Sequence, residues 1–348
     1  MKPKRTIPLG GLLAASMLLC SFPAHADRDN TDIIVLKNGD RVTGEILELE
    51  FGRLQLSTDD MGTISIEWSA IASIDSRYTF DVERAGGRRY AGLIATSADG
   101  QSLSIVDEGT EESVPLTAIT RITELETGFW QRVSGTMSVG YNYTKSTGIS
   151  TGSINISSAY QAETLKATLD ISALETSSPD TEPSSRENIN STIQFQRERP
   201  SFLMLLNSLE RNDELGIDAR LTSGAAIARY YRQDQDSEIL LLAGAVANQE
   251  WTEGAEEDTQ SSLEAALGGQ WRIFRFNDPE VSLSSALYLY PSLTESGRWR
   301  GNLDVSLRRE IISDLFFDIS LYESYDSDPP TGAETTDYGI VTSLGYKF

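Results

Sequence analysis

Cysteine and histidine are almost missing: the 348 residues hold one of each, Cys20 and His25. Both fall in a leader-like start. Met1 to Arg5 carries Lys2, Lys4 and Arg5, an apolar stretch runs from Leu9 to Phe22, and Ala24-His25-Ala26 closes it. A basic region, an apolar region and an A-x-A site predict a signal peptide over residues 1–26, cleaved after Ala26. Cys20 follows Leu18-Leu19 rather than a small residue, so lipidation is not expected. Without this segment the chain has neither thiol nor imidazole. That excludes a structural disulfide, a zinc site built from His or Cys, and the Ser-His and Cys-His nucleophile pairs.

Long hydrophobic runs are missing too. Beyond the leader the longest are Phe202 to Leu206 and Ile239 to Ala247, far short of the roughly 20 residues a membrane helix needs. A chain like this can span a membrane only as a closed barrel, because an open sheet edge in lipid leaves backbone groups unpaired. Positive charge is scarce. Lys and Arg number 29 against 52 Asp and Glu, a net charge of −23, and loss of the three basic leader residues takes it to about −26. Nucleic acid is therefore excluded as a partner, since phosphate binding needs Lys and Arg. Simple adsorption to anionic lipid is disfavoured for the same reason.

What is present begins with a repeat. Residues 27–76 and 77–127 read as one short β unit used twice. Asn38-Gly39-Asp40 aligns with Gly86-Gly87-Arg88, Gly44 with Gly92, Leu54 and Leu56 with Leu103 and Ile105, Ile71 with Ile119, and Ile74 with Ile122. An Asn-Gly turn between alternating runs marks a hairpin. Units of this size are marginal alone, which favours two packed side by side. LKNGDRVTGEI with the ending Trp68, Ile71, Ile74 resembles Sm-like or SH3-like barrels. An RNA-binding role is rejected, because residues 27–127 carry nine Lys and Arg against twenty Asp and Glu, and the aromatics that would stack bases are absent. A periplasmic spacer or docking module is the expectation.

From residue 128 to 348 the pattern changes to about twelve alternating segments separated by turn residues. Val139, Tyr141 and Tyr143 oppose Ser138, Asn142 and Thr144; Leu315, Phe317, Ile319 and Leu321 oppose Asp318, Ser320 and Tyr322. The last segment sets Tyr338, Ile340, Leu344, Tyr346 and Phe348 against Asp337, Gly339, Ser343, Gly345 and Lys347. Strand side chains alternate between faces. A long series with one apolar and one polar face is the signature of a barrel with lipid outside and a polar lumen inside. The segments near 201–211 and 239–251 are apolar on both faces and give no parity. A β-sandwich would alternate as well. Aromatics near strand ends (Trp130, Tyr143, Trp251, Trp271, Trp299, Tyr338, Phe348) and connections alternating between short and long favour the membrane barrel. The nominal outer loops lie near 146–150, 176–187, 212–216, 252–259, 292–297 and 326–335. The predicted fold class is all-β: a transmembrane antiparallel barrel of about twelve strands behind two small β modules.

The run FWQRVSGTMSVGYNYTKSTGISTGSINISSAY, with Trp130, Gly135, Gly140-Tyr141 and the Thr/Gly-rich Thr144 to Gly152, resembles the salt-induced outer-membrane protein family, a domain of unknown function. The run IDARLTSGAAIARYYRQDQDSEILLLAGAVANQE is similar to that family's central hairpin. Thr147-Gly148-Ile149 departs from its usual G-N-T. The resemblance implies fold and location and no reaction.

Charged residues of lumen parity form the candidate site: Lys166, Asp170, Asp218, Arg220, Glu264, Arg272, Arg300, Asp304, Arg308 and Asp318. They read either as a constriction selecting ions or small solutes or as salt bridges filling a narrow lumen. Tyr338, Ile340, Leu344, Tyr346 and Phe348 read as the signal for assembly. Asp59-Asp60, Glu111-Glu112 and Glu256-Glu257 are adjacent in sequence, so they are solvated charge and not acid/base dyads. The acidic loops lack the spaced Asp pattern of a calcium loop. The expectation is a non-enzymatic barrel in the outer membrane of a Gram-negative bacterium, structural or a narrow channel, with no cofactor and no metal. Its partners would be lipid, lipopolysaccharide, the barrel-assembly machinery during insertion and a periplasmic protein. The alternative is a periplasmic partner-binding module that the barrel anchors.

Overall fold

A computed structural model describes residues 31–97, 100–107, 109–125, 132–144, 148–162, 164–179, 181–195, 201–251, 259–275, 280–312, 315–330 and 333–347. The expected signal peptide, Trp130 and Phe348 lie outside the described residues.

Nine strands make the first part: β1 (Asp32–Leu36), β2 (Arg41–Glu50), β3 (Arg53–Thr58), β4 (Gly62–Glu67), β5 (Ile71–Arg84), β6 (Arg88–Thr96), β7 (Ser102–Asp107), β8 (Thr110–Pro115) and β9 (Ile119–Glu124). The internal repeat is visible in the backbone. A 3-10 turn, Trp68–Ala70 in one unit and Leu116–Ala118 in the other, precedes each closing strand. Each closing strand enters through a bulge, at Leu36↔Ile71 and at Arg84↔Ile119. Gly44 and Gly92 occupy matching close approaches, where a Cβ would strike the carbonyl of Ser57 or of Val106. Both positions thus require glycine for space.

The two units are not separate. β5 runs unbroken through the boundary expected at 76/77, pairing with β1 through its first half and with β6 and β9 through its second. β9 also pairs with β2, so β1, β2, β9 and β5 close a ring of four. One core serves both units, including Ile34, Ile46, Leu54, Phe80, Leu103 and Ile122. Sharing a core is how units too small to bury enough surface alone become stable.

Twelve strands follow: β10 (Val133–Thr144), β11 (Ile149–Gln161), β12 (Leu165–Ser178), β13 (Thr181–Phe195), β14 (Ser201–Asn212), β15 (Ile217–Gln233), β16 (Ser237–Trp251), β17 (Thr259–Arg275), β18 (Val281–Pro291), β19 (Trp299–Ile312), β20 (Leu315–Asp326) and β21 (Thr336–Lys347). Each pairs antiparallel with the next, and β21 pairs with β10, closing the barrel. The loop expected over 176–187 is mostly strand, because the β12–β13 pairing continues to Ser178↔Thr181.

The outer face is apolar. Leu203, Ile227, Leu241, Leu267, Leu287 and Ile319 are exposed there. Aromatics mark both rims, with Tyr231, Trp271 and Tyr346 toward the module end and Tyr141, Tyr143, Trp299 and Tyr338 toward the far end. Tyr338, Ile340, Leu344 and Tyr346 all point outward, as their alternation requires. The two ambiguous strands resolve once closed. Phe202, Met204 and Leu206 of β14 and Leu240, Leu242 and Val246 of β16 face inward, forming an apolar cluster with Ala226, Ala228 and Tyr230 of β15. One wall of the lumen is therefore packed like a protein core. Burial of each large apolar side chain there contributes about 1.5–3 kcal/mol.

Candidate functional site

The lumen holds a cavity of about 740 Å³. Most of its lining is amide and hydroxyl: Asn155, Asn188, Asn190, Thr192, Asn302 and Ser306 come from β11, β13 and β19. Tyr288 and Tyr290 of β18 and Tyr322 of β20 add aromatic faces. Gln270 donates its amide to the Tyr288 hydroxyl at 2.5 Å.

The first part forms the floor. Glu48, Glu50, Arg121 and Thr123 of the β2–β9 edge line the cavity beside Gln161, Lys166 and Arg272. Arg121 donates to Glu50 at 2.7 Å and to Glu83 at 3.4 Å. Burial works against the Arg121 guanidinium, yet the carboxylates of Glu50 and Glu83 outweigh it and hold its pKa above the usual value. This charge therefore persists at any working pH.

The module grips the short turns of the barrel. Arg53 bonds Glu280 at 3.2 Å and Arg89 donates to the Ala162 carbonyl at 3.1 Å. Gln233 donates to Glu83 at 2.7 Å and accepts from the Gly86 N–H at 3.1 Å. Phe51 sits at φ 51°, in the left-handed region that bulky residues rarely adopt. Its ring stacks on Phe274 of β17. The tight β2–β3 turn thus holds an unfavourable backbone conformation at the docking tip.

Ion pairs cross the far end. Arg220 of β15 bonds Glu250 at 2.8 Å and Asp326 of β20 at 2.7 Å. Arg298 meets Asp326 at 2.8 Å and Glu250 at 3.1 Å, and Arg300 meets Glu264 at 2.6 Å. β15 and β20 are not neighbours in the ring, so the Arg220–Asp326 bond spans the lumen. Asn212 of β14 donating to Asp337 of β21 at 2.8 Å does so as well, as does Arg186 of β13 donating to Ser324 at 2.9 Å.

Of the ten charges expected in the lumen, Lys166, Asp170, Arg272 and Asp304 line the cavity. Arg220, Glu264 and Arg300 belong to the buried far-end network. Arg308 and Asp318 pair at 3.7 Å toward the module end. Asp218 is different: it is exposed at the start of β15, outside the cavity, while Ile217 is buried. Alternation fails there because the β14–β15 register shifts between Glu210 and Asn212. Glu210, Glu238 and Glu250 lie on the strands of ambiguous parity, and Arg298 sits in a connection, so alternation could not reveal them. Among the described residues no group of His, Cys, Asp and Glu is arranged to hold a metal ion.

A closed antiparallel ring with an apolar belt outside and a polar cavity inside defines a transmembrane β-barrel. The match of residues 137–348 to the model of the protein family of unknown function DUF481 goes further: the chain belongs to that family. No curated protein matches the chain. Similar solved structures include the translocator domain of the autotransporter NalP from Neisseria meningitidis (11% identity, 62% of this chain and 87% of that one, TM-score 0.34). The NanC porin is similar at 8% identity (62% and 98%, TM-score 0.38). So is the β domain of the Bordetella autotransporter BrkA, at 11% identity (62% and 97%, TM-score 0.32).

Proposed function

We propose that this chain is a non-enzymatic outer-membrane barrel whose lumen is a narrow channel for small hydrophilic solutes or ions, held shut in this state, with β1–β9 as its resident periplasmic plug. The observation that carries this reading is the polar cavity floored by the module and bridged at the far end. A purely structural barrel has no need of a chamber lined by amides and hydroxyls. The longest connections, β16–β17, β18–β19 and β20–β21, all lie at the end opposite the module, as on the outer side of such barrels. Lipid, lipopolysaccharide and the assembly machinery are then the partners of the belt.

Single-channel recording of the refolded full chain in planar bilayers tests it. The wild type should open rarely. Phe51→Asn relieves the left-handed strain but loses the ring stack on Phe274, and should open often at the same step size. Absence of steps in both proteins would leave a structural barrel. A second reading, a docking module anchored by the barrel, has one observation in its favour: among the described residues β4 and β8 end the sheet with no strand paired on their outer edges, and such an edge can accept a partner strand. Pulldown of a specific periplasmic protein by the full chain, lost when Glu112→Pro interrupts the middle of β8, would favour it.

A further inference from the structure

The barrel is closed unevenly. Among the described residues the β10–β21 ladder has four register pairs, from Thr136↔Lys347 to Val139↔Leu344. The pairing of β10 with β11 runs without a break from Val133↔Tyr160 to Thr144↔Ile149, and that of β20 with β21 from Leu315↔Tyr346 to Tyr325↔Thr336. Gly140 to Tyr143 and Gly339 to Ser343 therefore stay extended through their other neighbours, with edges that share no ladder among the described residues. The edges still touch where the ladder stops, because a Cβ on Gly140 would strike the Thr342 carbonyl. Beyond this point, toward the far rim, no pairing joins the two strands among the described residues, which leaves a slit in the ladder.

The slit has two different sides. Outside it stand Tyr141 at 73% exposure, Tyr338 at 76% and Ile340 at 69%. Inside, Val341 belongs to the unladdered stretch and lines the cavity, with Ser153, Asn155 and Tyr322 close by in the lining. Unpaired backbone facing hydrocarbon is strongly unfavourable, so an open edge in a membrane persists only where something polar satisfies it. A molecule with a polar head and an apolar tail does that: its head reaches the cavity and its tail leaves between the tyrosines.

We propose that the β10–β21 seam is a lateral portal between the lumen and the outer leaflet, and that its ligand is a single-chain amphiphile. This rests on the outer-membrane reading but not on ion conduction. The test uses the full chain with Cys20→Ser, which leaves no cysteine, and one introduced cysteine carrying a small fluorophore, in phosphatidylcholine vesicles. The probe is lysophosphatidylcholine brominated on its acyl chain, a contact quencher. Val341→Cys and Asn142→Cys report from the two edges of the slit. Ser284→Cys reports from the lumen face of β18, which is paired on both sides, and Ile319→Cys from the lipid belt. Quenching at Val341 and Asn142 severalfold above that at Ser284 is the expected result. Equal quenching at all three lumen sites would overturn the portal while leaving the barrel in the membrane. Absence of quenching at Ile319 would overturn the membrane reading and the portal with it.

Discussion

Glu264 is fully buried, and among the described residues its carboxylate is ion-paired with Arg300 alone. Arg300 also lies over the Tyr290 ring at 5.2 Å. Charges placed this deep are tolerated as pairs, and removal of one partner strands the other. Arg300→Met is therefore expected to destabilise the barrel by about 3–5 kcal/mol, and the double change with Glu264→Leu to recover most of that loss. Urea unfolding of the refolded barrel, followed by tryptophan fluorescence, measures both. A double variant no better than the single one would mean that the pair is not an isolated unit. Arg220 and Arg298 behave differently, because they share Asp326 and Glu250. Loss of Arg298 leaves both carboxylates with Arg220, so its single-variant effect should be smaller than that of Arg300→Met, whereas loss of Arg220 also takes from the buried Glu210 its pair at 3.5 Å.

At the scale of elements, the shared sheet makes the two units fail together. A Cβ on Gly92 would lie 2.6 Å from the Val106 carbonyl oxygen and 3.0 Å from Ile105 Cγ2. Gly92→Val should push β6 from β7 and destabilise the first part by about 1–3 kcal/mol. Because one core spans both units, limited proteolysis should release fragments from β1–β4 as readily as from β6–β8. Selective loss of β6–β8 alone would show that the units fold independently. The repeat itself was legible from its turns and spacing, but the path of β5 was not: strand sharing is set by pairing partners far apart in sequence. In the barrel, strands with one polar face were legible apart from the start of β15 and the outer ends of β12 and β13. β14 and β16 were not, because their inward residues pack against each other instead of facing water. The charges they carry, Glu210, Glu238 and Glu250, were hidden with them. The Asp218 reading went astray at a register shift, which a period of two cannot anticipate.

For the whole molecule, what matters is which contacts hold the lumen shut and how exposed they are. The pairs bridging the far end are buried, with Arg220, Glu250 and Asp326 nearly without solvent contact. The grip of the module is less sheltered, since Glu280 in its pair with Arg53 is about one-third exposed. Salt separates such contacts. Raising ionic strength from 0.1 M to 1 M shortens the Debye length from about 10 Å to about 3 Å, which screens exposed charges and leaves buried pairs largely intact. In the proposed channel, high salt should therefore loosen the floor before the far-end bridges. Accessibility of a Glu48→Cys thiol to a small water-soluble reagent added from the module side should rise between 0.1 M and 1 M KCl. Accessibility of a Thr222→Cys thiol from the far side should stay constant, because its route passes the buried Arg220 and Arg300 pairs. A rise at both positions would place the barrier in the exposed charges alone; constancy at both would mean that the apolar contacts, Phe51 on Phe274 and Tyr230 against Gly87, hold the module without electrostatic help.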